Sequence, residues 1–156
     1  MVTPPDWGWM PTPWTSVATD LPPGDVHAWL VDLDHPPRMP QAPTDLLDDA
    51  ERARASRFVA PKDRRHHEVA HGLLRTILGH YTGAPPQSLR FVLGREGKPS
   101  LATHSPGENV VFNLSHSGHH ALIGVARGVN IGVDLEATRA VPEYEAISKS
   151  HFAVEE

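Results

Sequence analysis

An α+β fold with a mainly antiparallel sheet is what this sequence predicts, on three observations. An apolar run, Val26 to Leu33, comes before the helical stretches. Val69, Ala70, Leu73, Leu74, Ile77, Leu78 and Tyr81 then recur at three- and four-residue spacing, the stripe of a core-facing helix. After Gly83 the chain breaks into short apolar runs separated by tight turns. Strand first, then helices, then several strands on short connections segregates the helices from the sheet. At 156 residues there is enough chain for one domain with a real core, and no internal sequence repeat is visible.

Residues 1–25 place six prolines around Trp7, Trp9 and Trp14, so they cannot sustain a helix and suit a central strand poorly. They read as an extended arm whose tryptophans dock on the domain, with a proline-rich partner-binding tail as the alternative. The strand from Val26 is ended by Asp34-His35-Pro36-Pro37. Thr44 or Asp45 caps a helix to about Phe58, with Leu47, Ala50 and Ala53 or Arg54 on one side. A stronger helix runs from Pro61 to Tyr81 and is closed at Gly83 by a left-handed cap. Leu89–Leu93 and Val110–Leu114 are short strands. Ala121–Ala126 and Val129–Leu135 flank Arg127-Gly128, which reads as a tight hairpin turn.

The bulk composition excludes several function classes. The sequence has no cysteine, which removes disulfide frameworks, thiolate catalysis and Cys-based zinc sites. A net charge of −5 argues against a general nucleic-acid binder. No apolar run approaches the roughly 20 residues that span a bilayer. The N-terminus lacks the basic start and apolar middle of a signal peptide, so the expected location is the cytoplasm.

Chemistry concentrates in two motifs. In Ile131-Gly132-Val133-Asp134-Leu135-Glu136 the two carboxylates are two residues apart within an apolar run that reads as a strand. They therefore leave the same side, with Leu135 on the other. Two hard oxygen ligands, with room for water and a phosphate oxygen, suit magnesium. Upstream, Ser115-His116-Ser117-Gly118 offers hydrogen-bond and charge partners for an anion; it is not the G-x-S-x-G elbow of a hydrolase. The run Arg52, Arg54, Arg57, Lys62, Arg64, Arg65 is either a solvated basic face or a landing patch for phosphates. Gly94 to Pro99 is a glycine-flanked turn presenting Lys98. His67-Glu68-Val69-Ala70-His71 matches the H-E-x-x-H pattern of zinc peptidases, but no third ligand follows at the metzincin offset.

The order of these pieces resembles the surfactin-type 4'-phosphopantetheinyl transferases. An arginine-rich helix ends in Arg57-Phe58, and a second runs from Asp63-Arg64-Arg65 to Leu74-Arg75. Gly97-Lys98-Pro99, Phe112-Asn113-Leu114-Ser115-His116-Ser117-Gly118 and Ile131 to Glu136 follow, with Arg139 close behind. The resemblance implies transfer of the phosphopantetheine arm of coenzyme A onto a serine of an acyl or peptidyl carrier protein. It implies Asp134 and Glu136 as catalytic magnesium ligands, and Arg54, His67, Lys98, Ser115 and His116 as contacts to coenzyme A. It places the protein in fatty-acid, polyketide or non-ribosomal peptide biosynthesis, with no nucleic-acid or membrane partner.

The family fold is pseudo-duplicated. Residues 26–127 would be its first half, antiparallel sheet plus long helix, and residues 128–156 the opening of the metal-binding second half. The Trp-x-x-Lys-Glu segment, which supplies a third carboxylate and a lysine, is absent from the sequence; Phe152 to Glu156 resembles the lead-in to it. The expectation is a C-terminally truncated transferase, with turnover at least about 100-fold reduced by the missing charged groups and an open sheet edge. The alternatives are a non-catalytic relative that binds coenzyme A or a carrier protein, and a zinc hydrolase built on His67 and His71.

Overall fold

A computed structural model describes residues 21–39, 41–94, 97–102 and 109–138. The arm up to residue 20, Arg139 and the Phe152–Glu156 run lie outside the described residues. The elements in chain order are β1 (Val26–Asp32), α1 (Pro43–Leu46), α2 (Asp49–Ala55), α3 (Pro61–Thr82), a 3-10 turn (Pro86–Ser88), β2 (Phe91–Leu93), β3 (Pro99–Leu101), β4 (Val110–Ser117) and β5 (His120–Arg127). The α+β class read from the sequence is the one observed.

Strand β5 is the centre of an antiparallel three-stranded sheet in the order β1–β5–β4. Trp29 lies across from Ile123 on one side, and Leu114 across from the same residue on the other. Side chains alternate along each strand, so Val31, Phe112, Ala121, Ile123 and Val125 form one buried face. Helix α3 covers that face. Its predicted stripe from Val69 to Tyr81 is buried at every position. Each fully buried Leu or Ile contributes roughly 1.5–3 kcal/mol, so this interface is the main source of stability. Pro61 starts α3, where its missing N–H costs nothing. Gly83 ends it at φ 70°, with its N–H on the Gly79 carbonyl, as the sequence predicts. Strands β2 and β3 form a separate two-stranded ribbon.

Four expectations are corrected. The helix predicted from Thr44 or Asp45 to Phe58 is two helices, and the cap lies later. Asp48 accepts from the Glu51 N–H at 2.9 Å, while the Glu51 carboxylate accepts from the Asp48 N–H at 3.0 Å. This reciprocal pair starts a new helix at Asp49 and forces the break. The buried side is accordingly Leu46, Leu47, Glu51 and Ala55, while Ala50, Ala53 and Arg54 are exposed.

The hairpin turn is not Arg127-Gly128. Ser117 and His120 pair across a two-residue loop, with Gly118 at φ 60° in its first position. That conformation matches the twist of the strands, and glycine adopts it at little cost. Val129–Leu135 is not a strand of either sheet; residues 131–138 carry no backbone ladder with another described residue. The fourth correction is β3, which the sequence reading missed. Among the described residues no helix is long and apolar enough to cross a membrane.

Candidate functional site

The last turn-ward residues of β4 divide the candidate groups between two sides of the sheet. His116 lies across from Ala121 and belongs to the helix-facing side, whereas Ser115 lies across from Leu122 on the opposite side. Each of these neighbours leads to a different set of charges.

On the helical side, His67 projects from α3 between the rings of Phe58 and His71, with centroids 5.2 and 4.1 Å away. It is 5% exposed, and its Nε2 has no hydrogen-bond partner among the described residues. Burial, the neighbouring charges of His71 and Arg54, and a weaker effect of His116 push its pKa down to about 4, against an opposing pull from Glu51. His67 is therefore neutral at pH 7. His116 and Arg54 are exposed. Of the basic run, Arg52 pairs with Asp49, Lys62 with Asp34, and Arg64 with Glu68, and Arg65 donates to the Asp34 carbonyl. The Arg54 and Arg57 side chains make no hydrogen bond or ion pair with another described residue, which leaves them open to an anion.

What fixes this side is a buried ion network. Arg75 is wholly buried within the apolar stretch of α3. Its Nε donates to Glu51 Oε2 at 2.6 Å and its Nη2 to Asp48 Oδ2 at 2.7 Å. Its Nη1 reaches the Pro86 and Leu89 carbonyls at 3.0 and 3.1 Å, and the guanidinium sits 4.8 Å from the Phe91 ring centre. Each of the three guanidinium nitrogens thus has an acceptor, as burial of a charge requires. Burial alone would raise the Glu51 carboxyl. The hydrogen bond with His71, the Asp48 N–H and the Arg75 charge more than offset it and hold it below its ordinary value.

On the other side, residues 131–138 run over the sheet. Gly132, Asp134 and Glu136 are exposed while Ile131, Val133 and Leu135 are half-buried, so both carboxylates leave the same side as the spacing predicts. The N–H groups of Val133, Leu135 and Ala137 donate to Asn113 Oδ1, Ser115 Oγ and Ser117 Oγ at 2.7, 3.1 and 2.9 Å. The Ser115 hydroxyl in turn donates to Asp134 Oδ1 at 3.2 Å. Exposed Lys98 does reach this side, donating through Nζ to the Ile131 carbonyl. The structure thus places His67 within electrostatic reach of Arg54 and His116 on one side, and brings Lys98, Ser115 and Asp134 to the other, with Glu136 two residues beyond.

The donor set suits magnesium. Two exposed carboxylates on one side, one of them already oriented by a hydroxyl, leave the remaining positions to water and phosphate oxygens. Among the described residues no group of three His, Asp or Glu side chains converges. The zinc reading has little to build on there. His71 Nδ1 is engaged with Glu51 Oε1 at 3.0 Å, and Glu68, which would act as base, pairs with Arg64 at 2.9 Å.

Sequence reading missed Asp48, Glu51 and Arg75 as the scaffold, and Asn113 and Ser117 as anchors. A lone arginine inside Leu73-Leu74-Arg75-Thr76-Ile77-Leu78 and the Asp48-x-x-Glu51 spacing were the available signals.

A family profile described as 4'-phosphopantetheinyl transferase, N-terminal, matches residues 38–127. The match includes Arg54, His67, Lys98, Ser115 and His116 and stops short of Asp134 and Glu136. The chain is 38% identical over 128 residues to 4'-phosphopantetheinyl transferase HetI of Nostoc sp., covering 82% of this chain and 54% of that protein. It is 35% identical over 111 residues to a putative 4'-phosphopantetheinyl transferase of Synechocystis sp., covering 71% and 45%. Mouse L-aminoadipate-semialdehyde dehydrogenase-phosphopantetheinyl transferase is 28% identical over 117 residues, covering 70% and 38%. The chain spans about half the length of the curated relatives it matches. With more than half of its residues inside the family profile, the chain belongs to the 4'-phosphopantetheinyl transferases.

Proposed function

We propose that this protein transfers the 4'-phosphopantetheine arm of coenzyme A to a serine of an acyl or peptidyl carrier protein. The observation that carries this reading is the division at Ser115 and His116. One β-strand end presents a cationic side, where an anion can meet Arg54 and His116, next to a carboxylate side suited to a divalent cation. Coenzyme A needs both: a terminal phosphate on its ribose and a pyrophosphate whose charge must be neutralised during phosphoryl transfer.

In this reading Arg54 and His116 bind the ribose phosphate through charge-assisted hydrogen bonds. His67, neutral and buried, supplies an acceptor or donor at Nε2 rather than a charge. Lys98 faces the pyrophosphate from its turn, and Ser115 orients the Asp134 carboxylate. Asp134 and Glu136 would hold magnesium, which supplies charge neutralisation on the pyrophosphate. Residues 26–127 form the first half of a pseudo-duplicated fold, and the segment from 128 opens the metal-binding half. We assign the activity to the cytoplasm, in biosynthesis that uses carrier proteins.

The test is mass spectrometry of an apo carrier protein incubated with the protein, coenzyme A and magnesium. A phosphopantetheine adduct on the serine that disappears with chelator supports the proposal. Coenzyme A binding with no adduct would replace it with a non-catalytic coenzyme A-binding role.

A further inference from the structure

The three hydrogen bonds from β4 to residues 133–137 form a ladder made of side chains. Asn113, Ser115 and Ser117 are two residues apart on one strand face, and they accept from N–H groups also two residues apart, at 133, 135 and 137. A strand ladder would use backbone carbonyls and bring in the neighbouring chain as a sheet member. Here residues 133–137 lie over the face of the sheet instead. The approach is close: a Cβ on Gly124 would sit 2.7 Å from Val133 Cγ1 and 3.1 Å from Ile131 Cδ1. Only a residue without a side chain permits it at that point.

The alternation has a consequence for the carboxylates. With the N–H groups of 133, 135 and 137 turned toward β4, Asp134 and Glu136 are turned to solvent. A slip of one residue would reverse that. Ser115 does two things at once. Its oxygen accepts the Leu135 N–H, and its proton goes to Asp134 Oδ1. It thereby ties the register of the segment to the orientation of one carboxylate.

We propose that Asn113, Ser115 and Ser117, with Gly124 beneath them, are positioning residues that set the register of residues 131–137 and so aim Asp134 and Glu136 at a divalent cation. This rests on the metal reading of those two carboxylates. It gives the Asn-x-Ser-x-Ser alternation a role in holding the chain, separate from contact with the substrate.

The test uses the full chain, with manganese as a paramagnetic stand-in for magnesium. Amide hydrogen exchange at 133, 135 and 137 reads the ladder, and manganese titration by electron paramagnetic resonance reads the cation site. Ser115→Ala should lose protection at these amides while β1 and β5 stay protected, and should weaken manganese about tenfold to a hundredfold, the loss seen when an outer partner of a metal ligand is removed. Ser115→Thr keeps the hydroxyl and should restore both readouts. Gly124→Ala should lower protection at the same amides by crowding Val133. Parent-like protection in Ser115→Ala would overturn the ladder. Lost protection with unchanged manganese affinity would overturn the positioning role alone. A parent chain that binds no manganese would overturn the metal reading and this role with it.

Discussion

The helical side of the candidate site and the segment at 131–138 are held by opposite means. On the helical side, a fully buried guanidinium is clamped by two carboxylates and two carbonyls, and two helices and a 3-10 turn converge on it. On the other side, three side-chain acceptors hold a segment whose carboxylates are exposed. A buried ion network is strongly destabilised by loss of one partner, because the other charge is stranded. A hydrogen bond near solvent is replaced by water at a net cost of about 0.5–1.5 kcal/mol. The cationic side is thus built on a buried ion network and the carboxylate side on hydrogen bonds near solvent, which leaves Asp134 and Glu136 accessible for the cation role proposed for them.

Breaking the rigid side should have the largest effect. Arg75→Met leaves Glu51 buried without its cation and should cost about 3–5 kcal/mol in denaturant unfolding. Replacing Glu51 by Gln in that variant should recover part of the loss, since the stranded charge is then gone. No recovery would place the cost in packing against Phe91 instead.

Acid should reach the same side through His67. Its folded pKa of about 4 lies below the 6.5 of an unperturbed histidine, so between these values the unfolded chain binds more protons. The contribution is complete above pH 6.5 and is lost as pH falls toward 4, to a limit of roughly 3 kcal/mol at 1.36 kcal/mol per unit. His67→Phe should flatten the fall of melting temperature over that range relative to the parent. Parallel curves would show that His67 is not held neutral.

Asp48→Ala removes both the cap of α2 and one of the two carboxylates on Arg75, with Glu51 still pairing the guanidinium, and should cost about 2–3 kcal/mol. Arg54→Ala should change stability by no more than about 0.5 kcal/mol, since the side chain is exposed and makes no described ion pair. It should nevertheless weaken binding of coenzyme A, which separates a ligand contact from a structural one.

The same contrast explains how far the sequence could be read. The α3 stripe, the Pro61 start and the Gly83 end were legible because each is a local signal enforced by burial or backbone geometry. Strand β1 and the alternation that turns Asp134 and Glu136 to one side were legible for the same reason. The break at Leu47-Asp48 was obscured because Thr44, Asp45, Asp48 and Asp49 are all capping residue types. Only the Glu51 carboxylate, returning to the Asp48 N–H, decides among them. The missing pairing of 129–135 was not legible, because an apolar alternating run looks the same whether a backbone ladder or a row of side chains holds it. Arg54 and His116 come within electrostatic reach of His67 from other elements, so motif order pointed to them but spacing could not.

The most direct measurement of the two-sided site is calorimetric titration of coenzyme A, with and without magnesium, into the parent, His116→Ala and Asp134→Ala. His116→Ala should lose about 1.5–3 kcal/mol, roughly tenfold or more in affinity, in both conditions, and should prefer coenzyme A over its 3'-dephospho form by less than the parent does, Arg54 keeping the rest of that preference. Asp134→Ala should match the parent without magnesium and lose only the part of the affinity that magnesium adds. Equal losses in both variants under both conditions, or no loss in either, would contradict a site divided between a phosphate side at His116 and a metal side at Asp134.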